Sequence, residues 1–200
     1  MPPGARHLNS SHQPALLTHF LALSDRDSYL RFGGRLSTQA IDEYTRRIDY
    51  GSSTVLGIFG DELELLGVAH LCPQGGIVEL GISVLPDHRR QGLGTLLLHR
   101  ALGHARLIGA SRLFMHCLAE NAALMRLATA AGAAISFSDG EADGFIELPP
   151  GTAFSSVVEI AEEQMALMDW VLKAQRVAWQ HALHPDDDGA AQPDEQVTPK

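Results

Sequence analysis

Residues 79–94 read Glu79-Leu80-Gly81-Ile82-Ser83-Val84-Leu85-Pro86-Asp87-His88-Arg89-Arg90-Gln91-Gly92-Leu93-Gly94, and they carry most of the information about the fold. The apolar first half predicts a buried strand, and the polar, glycine-containing second half predicts a loop that leads into a helix. Gly92 and Gly94 remove side chains where that helix begins. Backbone N–H groups there can therefore point at an anion such as a diphosphate, helped by the helix dipole and by the charges of Arg89 and Arg90.

Two common phosphate-binding motifs do not fit this loop. No Gly-Lys-Ser/Thr follows it, so it is not a Walker A loop, and the Gly-x-Gly-x-x-Gly pattern of dinucleotide-binding folds is missing. A plain strand-to-helix turn with capping glycines is the alternative that these residues alone leave open.

The remaining periodicity predicts a mixed fold with a mostly antiparallel sheet. Helices are predicted from residue 15 onward, after the N-cap Ser37, and over residues 95–107, 121–131 and 154–182. Strands are predicted over residues 54–59, 63–71, 77–85, 112–118, 134–137 and 145–148, the first three joined by tight connections. This order indicates an α+β (mixed α/β) fold with flanking helices and a long C-terminal helix.

Composition narrows the class of protein. The 200 residues are 45% hydrophobic and carry a net charge of −9, which fits a globular protein and argues against a nucleic-acid partner. No run approaches the roughly 20 apolar residues that a membrane span needs, and no signal peptide is visible. Cys72 and Cys117 are predicted to be free thiols in a reducing compartment, so we expect a cytoplasmic protein. The histidine pairs 99/104 and 181/184 lack a third ligand, so no metal site is expected.

The segment Val84-x-Pro86 followed by Arg89-x-x-Gly92-x-Gly94 resembles the acetyl-coenzyme A signature of GCN5-related N-acetyltransferases (GNAT). Downstream, Asn121, Leu124, Leu127 and Gly132 are similar to the second half of that family's pattern. The resemblance covers roughly residues 15–150. It implies a flexible N-terminus at 1–13, an acetyltransferase domain at 14–150, a helical extension at 151–184 and an acidic disordered tail at 185–200.

The resemblance also implies roles for individual residues. Backbone groups of Ile82, Ser83 and Val84 would bind the pantetheine arm of acetyl-CoA, and Asn121 would hydrogen-bond near its reacting end. The pyrophosphate would be bound by the loop that begins at Arg89, through Arg90, Gln91, Gly92, Leu93, Gly94 and Thr95. The thioester would lie where the strands at 77–85 and 112–118 splay apart. Tyr29, Arg31, Phe32 and Arg35 fall in a segment between the first two helices that usually overhangs the acceptor amine.

Two departures concern the family's general acid. The tyrosine that usually returns a proton to the departing thiolate is replaced by Ala128, and the phenylalanine after Gly132 is replaced by Ala133. Water or another residue would then supply that proton.

Two residues are candidates for the base. Glu79 lies in an apolar strand, where burial would raise its pKa toward neutrality; a structural salt bridge is the alternative. His116, five residues before Asn121, has an ordinary pKa suited to base work, and a packed strand histidine is the alternative. Cys117 is expected to pack rather than to act as a nucleophile.

The sequence therefore predicts an N-acetyltransferase that moves an acetyl group from acetyl-CoA to a primary amine of a small molecule or protein by direct transfer. The alternative is a non-catalytic acyl-CoA-binding module. The apolar stripe of the long C-terminal helix also predicts a homodimer contact.

Overall fold

The computed structural model describes residues 4–150 and 153–183, and the acidic tail predicted over 185–200 lies outside the described residues. The strands are β1 Ala5–His7, β2 Thr54–Phe59, β3 Leu65–Gln74, β4 Ile77–Val84, β5 Arg112–Leu118, β6 Ala134–Ser138 and β7 Glu141–Glu147. The helices are α1 Gln13–Leu21, α2 Asp25–Phe32, α3 Thr38–Arg46, α4 Leu93–Leu107, α5 Ala122–Ala130 and α6 Ala153–Leu183. Within this described part, no helix combines the length and apolarity that a membrane crossing requires.

The seven strands form one sheet in the order β1-β2-β3-β4-β5-β7-β6. All neighbours pair antiparallel except β4 and β5, which are parallel because α4 crosses over between them. The β4–β5 ladder runs only from Ile77 opposite Arg112 to Glu79 opposite Phe114. Beyond Glu79 the two strands separate and open a gap in the middle of the sheet. The mixed, mostly antiparallel fold is thus confirmed, and so is the splay between these strands.

Helices cover both faces of the sheet. α4 buries Leu97 and Ala101 against one face, in a cluster that includes Leu56 and Leu113. α1 and α3 cover part of the other face, in a cluster around Phe20. Backbone groups of β4 are consequently fixed in position on both sides.

Two elements differ from the sequence-based expectation. Residues 1–13 were expected to be flexible, but Ala5–His7 pair antiparallel with β2 and Asn9 and His12 form a capping box. Residues 25–32 were expected to belong to a connecting segment, but they form α2, whose N-cap Ser24 accepts a hydrogen bond from Asp27 N.

The long helix α6 packs on its own domain through a polar face. Arg100, 2% exposed, pairs with Glu162 and Glu163, at 3.0 and 2.8 Å. Lys173 Nζ donates to the Phe59 carbonyl at 2.8 Å. The apolar stripe, predicted to form a homodimer contact, is largely exposed on the single chain, at Met165, Met168, Leu172 and Trp179.

Candidate functional site

The loop between β4 and α4 has the backbone geometry of an anion-binding nest. Arg90 and Gly92 both have positive φ, at 59° and 82°, and the residues next to them do not. Such alternation turns successive N–H groups toward one concave side. Gly92 is the N-cap of α4, and no side chain of the described residues caps the helix there, so the first N–H groups of α4 point outward. Arg90, Gln91, Gly92 and Thr95 are exposed around this nest, while Leu93 is buried and anchors it.

Arg89 has a different environment from the rest of the loop. Its Nη2 lies 2.7 Å from Asp27 Oδ1, and its Nε donates to the Val84 carbonyl at 3.3 Å. The side chain therefore links α2 to the end of β4 instead of surrounding the nest with charge.

The edge of β4 that faces the gap carries unpaired backbone groups. Two hydrogen bonds at the ends of β4 show which way its backbone groups face. The Leu85 N–H donates to the Leu66 carbonyl of β3, and the Gly76 carbonyl accepts from the Ser111 N–H on the β5 side. Because backbone groups alternate along a strand, those of Ile82 and Val84 face the gap and those of Ser83 face β3. The Ser83 hydroxyl is buried and lies 2.8 Å from His19 Nε2. The backbone groups of Ile82 and the Val84 N–H, rather than Ser83, can therefore offer hydrogen bonds to a ligand in the gap, whereas the Val84 carbonyl already accepts from Arg89 Nε.

A cavity of about 280 Å³ lies where β4 and β5 diverge. Residues 30–33 around the end of α2 form one wall, residues 79–82 of β4 form another, and β5 with the start of α5 forms the third. This volume is close to the lower end of small-molecule sites. The cavity brings together four predicted catalytic or cofactor-binding residues, Glu79, Ile82, His116 and Asn121.

The two candidate bases line this cavity with different surroundings. Glu79 is exposed, so the prediction that it is buried is wrong; its side chain lines the cavity and does not enter the core. His116 is also exposed, and its Nδ1 lies 2.8 Å from Asp143 Oδ1. That hydrogen bond, followed by the charge of nearby Glu141, raises the pKa of His116 above its ordinary value. The sequence gave no sign of the Asp143 partner, which β7 places directly opposite His116.

Residues in and beside α5 bear on three further predictions, those for Asn121, Ala128 and Cys117. Asn121 caps the helix, because its Oδ1 accepts from Leu124 N at 3.1 Å, and its amide nitrogen can then donate into the cavity. Ala128 is 3% exposed and packs in the core, so it offers no proton to the site. Cys117 is buried, and burial raises the pKa of its thiol, which does not favour a nucleophile.

A second polar group lies beside this cavity, on the face covered by α1, α2 and α3. Tyr44 Oη accepts from Arg31 Nη2 at 3.1 Å and donates to His70 Nδ1 at 2.8 Å. Tyr44, His70 and Cys72 line a further cavity of about 380 Å³. Tyr44 was not among the residues predicted for the site; the apolar stripe of the helix that follows Ser37, which includes Tyr44, was the available signal.

Comparisons with known proteins agree with this geometry. The family model of the acetyltransferase (GNAT) family matches residues 23–133. The GNAT domain of PAT from S. lividans has a TM-score of 0.63 and 21% identity, and the alignment covers 73% of this chain and 90% of that one. No match was found among curated proteins.

Two structures with bound ligands share the same fold. Spermidine N-acetyltransferase from Vibrio cholerae, solved in complex with CoA and spermine, has a TM-score of 0.59 at 18% identity, covering 73% of this chain and 95% of that one. A GNAT superfamily phosphinothricin acetyltransferase from Sinorhizobium meliloti, in complex with AcCoA, has a TM-score of 0.60 at 17% identity, covering 76% and 92%. At these identities the likeness is one of fold.

Proposed function

Because the chain belongs to the acetyltransferase (GNAT) family, we propose that it is an N-acetyltransferase that transfers an acetyl group from acetyl-CoA to a primary amine. The observation that carries this proposal is the open β4–β5 gap, which lies beside the anion nest at residues 90–95. The free thiols Cys72 and Cys117 are compatible with the cytoplasmic location that we also propose.

The chain offers a matching group for each part of acetyl-CoA. In this proposal the nest and the first N–H groups of α4 hold the pyrophosphate. The gap-facing backbone groups of Ile82 and Val84 hydrogen-bond the amides of the pantetheine arm, which then lies along the edge of β4. Asn121 lies on the opposite side of the gap, where its amide nitrogen can donate to the donor substrate near the thioester.

The proposed reaction is direct transfer in a ternary complex. The amine nitrogen attacks the thioester carbonyl carbon, forming a C–N bond as the C–S bond breaks. Glu79 or His116 takes the proton that the amine loses, directly or through water, since both line the cavity. The Val84 N–H polarises the carbonyl oxygen. With Ala128 at the usual tyrosine position, water returns a proton to the thiolate.

The alternative is a module that binds acyl-CoA without catalysis, and the specific observation in its favour is buried Ala128. The two functions differ in a turnover assay. We would mix the protein with acetyl-CoA and a panel of primary amines, then measure thiol release and the mass of the acetylated amine. The same assay on Glu79→Gln and His116→Gln separates the two bases. Thiol release that requires an amine supports the enzyme, whereas acetyl-CoA binding without release supports the module.

We also propose that α6 pairs two copies of the chain. Its polar face is occupied, because Glu162 and Glu163 pair with Arg100 and Lys173 donates to the Phe59 carbonyl, and its exposed stripe at Met168, Leu172 and Trp179 is left for a second copy. Light scattering of the wild type and of a Met168→Glu, Leu172→Glu variant tests this. We expect a dimer that becomes a monomer in the variant; a monomeric wild type would contradict it.

A further inference from the structure

The Arg31 side chain lies between the two cavities. It lies near the end of α2, lines the cavity between β4 and β5, and donates to Tyr44 at the edge of the other cavity. Its guanidinium rests directly on Gly81 of β4: a Cβ placed on that glycine would lie 2.5 Å from Nη2 and 2.6 Å from Cζ. Only a glycine at position 81 lets the arginine lie this close to the strand.

Three aromatic rings fix the orientation of this guanidinium. Its carbon lies 5.0 Å from the ring centre of Phe32, 5.7 Å from that of Phe20 and 5.9 Å from that of Tyr44. These rings pack edge to face with one another at 5.3 to 5.6 Å. Contacts with ring faces stabilise the cation but do not accept hydrogen bonds from its in-plane N–H groups. The rings therefore position the guanidinium without using its hydrogen-bond donors.

The hydrogen bonding of Arg31 is incomplete. The guanidinium has five N–H donors, and the Nη2 bond to Tyr44 uses one. Its Nε is buried without an acceptor in the described part of the chain. Among the same residues, no carboxylate lies within the 4.0 Å of an ion pair with Arg31, although every other arginine of α2 and α3 has such a partner.

The groups around Arg31 do not neutralise it. Burial, together with a smaller effect of the nearby Arg31 charge, lowers the pKa of both His19 and His70 to about 4, so both rings are neutral at physiological pH. Burial also raises the pKa of the Cys72 thiol. Glu79 lies two residues from Gly81 on the same face of β4, and its charge also contributes to raising the pKa of the Cys72 thiol.

We infer that Arg31 binds a carboxylate of the acceptor, and that the acceptor is a small amine carrying a carboxylate, such as an amino acid. The inference rests on the proposed acetyltransferase function. A guanidinium binds a carboxylate through two parallel N–H···O bonds. Because Nε is buried and one Nη2 N–H is bound to Tyr44, the remaining Nη N–H groups of Arg31 would form this pair. The amine of the same molecule then lies toward Glu79 and the gap, where the thioester is attacked. The cavity of about 280 Å³ suits a molecule of that size.

The test compares acceptors that differ in one group. Common L-amino acids and β-alanine are each paired with their carboxamides, and kcat/KM is measured for acetyl-CoA-dependent acetylation of both members. We expect the wild type to prefer the free acid of its best acceptor by roughly ten- to a hundredfold, as expected for hydrogen bonds between charged groups. Arg31→Gln should remove that preference, mostly through KM of the acceptor.

Two further variants keep the outcome interpretable. Arg46→Gln removes the same charge from an exposed arginine that pairs with Asp42, and it should retain the preference. Gly81→Ala keeps the arginine in the sequence but pushes its guanidinium away from β4. This variant should lose the preference, and it provides a test even if Arg31→Gln folds poorly.

The outcomes separate the inference from the proposed function. Equal acetylation of acids and carboxamides by the wild type, or a preference that survives both Arg31→Gln and Gly81→Ala, overturns the inference and leaves the acetyltransferase standing. A protein that acetylates another primary amine but none of the amino acids or carboxamides also overturns the inference alone. A protein that binds acetyl-CoA but acetylates no primary amine of either panel overturns the proposed function, and the inference with it.

Discussion

Gly92 and Gly109 provide a matched pair of positions at the two ends of α4. Both have positive φ, at 82° and 77°, and a Cβ added to either would meet no described atom within 4 Å. A glutamate at either position should therefore cost a similar backbone strain of about 1–2 kcal/mol. For a chain of this length that predicts a fall in Tm of roughly 2–8 °C. The helix dipole makes the loss slightly smaller at Gly92, because a negative charge is favoured at the N-terminus.

The two variants should differ in how they bind acetyl-CoA. A carboxylate at position 92 would lie about 5 Å from a phosphate held by the first N–H groups of α4, and at an effective dielectric constant of about 40 each like charge costs about 1.7 kcal/mol. Two such charges on a pyrophosphate give about 3 kcal/mol, a loss of affinity of roughly a hundredfold. Position 109 lies beyond the far end of a 15-residue helix. That helix is about 22 Å long, so the charge there is screened by salt.

Calorimetric titration of acetyl-CoA into the wild type, Gly92→Glu and Gly109→Glu measures this difference, with thermal unfolding as the control for folding. We expect Gly109→Glu to bind like the wild type and Gly92→Glu to bind weakly or undetectably. Equal binding by the two folded variants would refute the placement of the pyrophosphate at the nest.

Three further predictions follow from single contacts. If His116 is the base, kcat/KM rises with pH through its pKa, and Asp143→Asn, which removes the hydrogen bond that raises this pKa, should move the inflection to lower pH. An unmoved inflection points to Glu79. Ala128→Tyr should destabilise the protein by about 1–3 kcal/mol in urea unfolding without raising kcat, since position 128 is in the core; a gain in kcat would show that the tyrosine reaches the site. The pKa of His19 is about 4 in the folded protein, below its value in the unfolded chain. The stability that this difference gives the protein above pH ~6.5 should therefore be lost as the pH falls toward 4. His19→Gln should flatten that slope, and an unchanged slope would assign it to other groups.

The elements that the sequence predicted best are those with a clear apolar period or a cap. The strands at 54–59 and 112–118 were predicted with the bounds that the structure shows. The predicted N-cap Ser37 is confirmed, because its side chain accepts from Ala40 N. The β4–β5 gap itself came from family resemblance, because no local pattern marks where two strands separate.

The misses have a common physical origin in long-range contacts. β1 has three residues, and its partner in β2 lies about fifty residues away in the chain. α2 buries only Ser28 among its residues, so it has no apolar stripe to detect. In α6 the ion pairs of Arg100 with Glu162 and Glu163 hold a polar face of the helix against the domain, and the apolar pattern gave no sign of this contact.

The same limit applies to the site. Glu79 could be selected from the sequence as a carboxylate within an apolar strand, and His116 and Asn121 because their spacing resembles a family pattern. The partners that set their properties could not: Asp143 reaches His116 through strand register, and Arg31 reaches Gly81 through the packing of α2 on β4.

Amide chemical shifts locate acetyl-CoA on the protein without any assumption about the acceptor. Titration of acetyl-CoA into isotopically labelled protein should perturb the backbone amides of Ile82, Val84 and residues 90–95, together with the side-chain amide of Asn121. Perturbation of this set would place the donor along the β4 edge and on the nest. Perturbation confined to other surfaces, or none at saturating acetyl-CoA, would contradict the proposed site and the acetyltransferase function built on it.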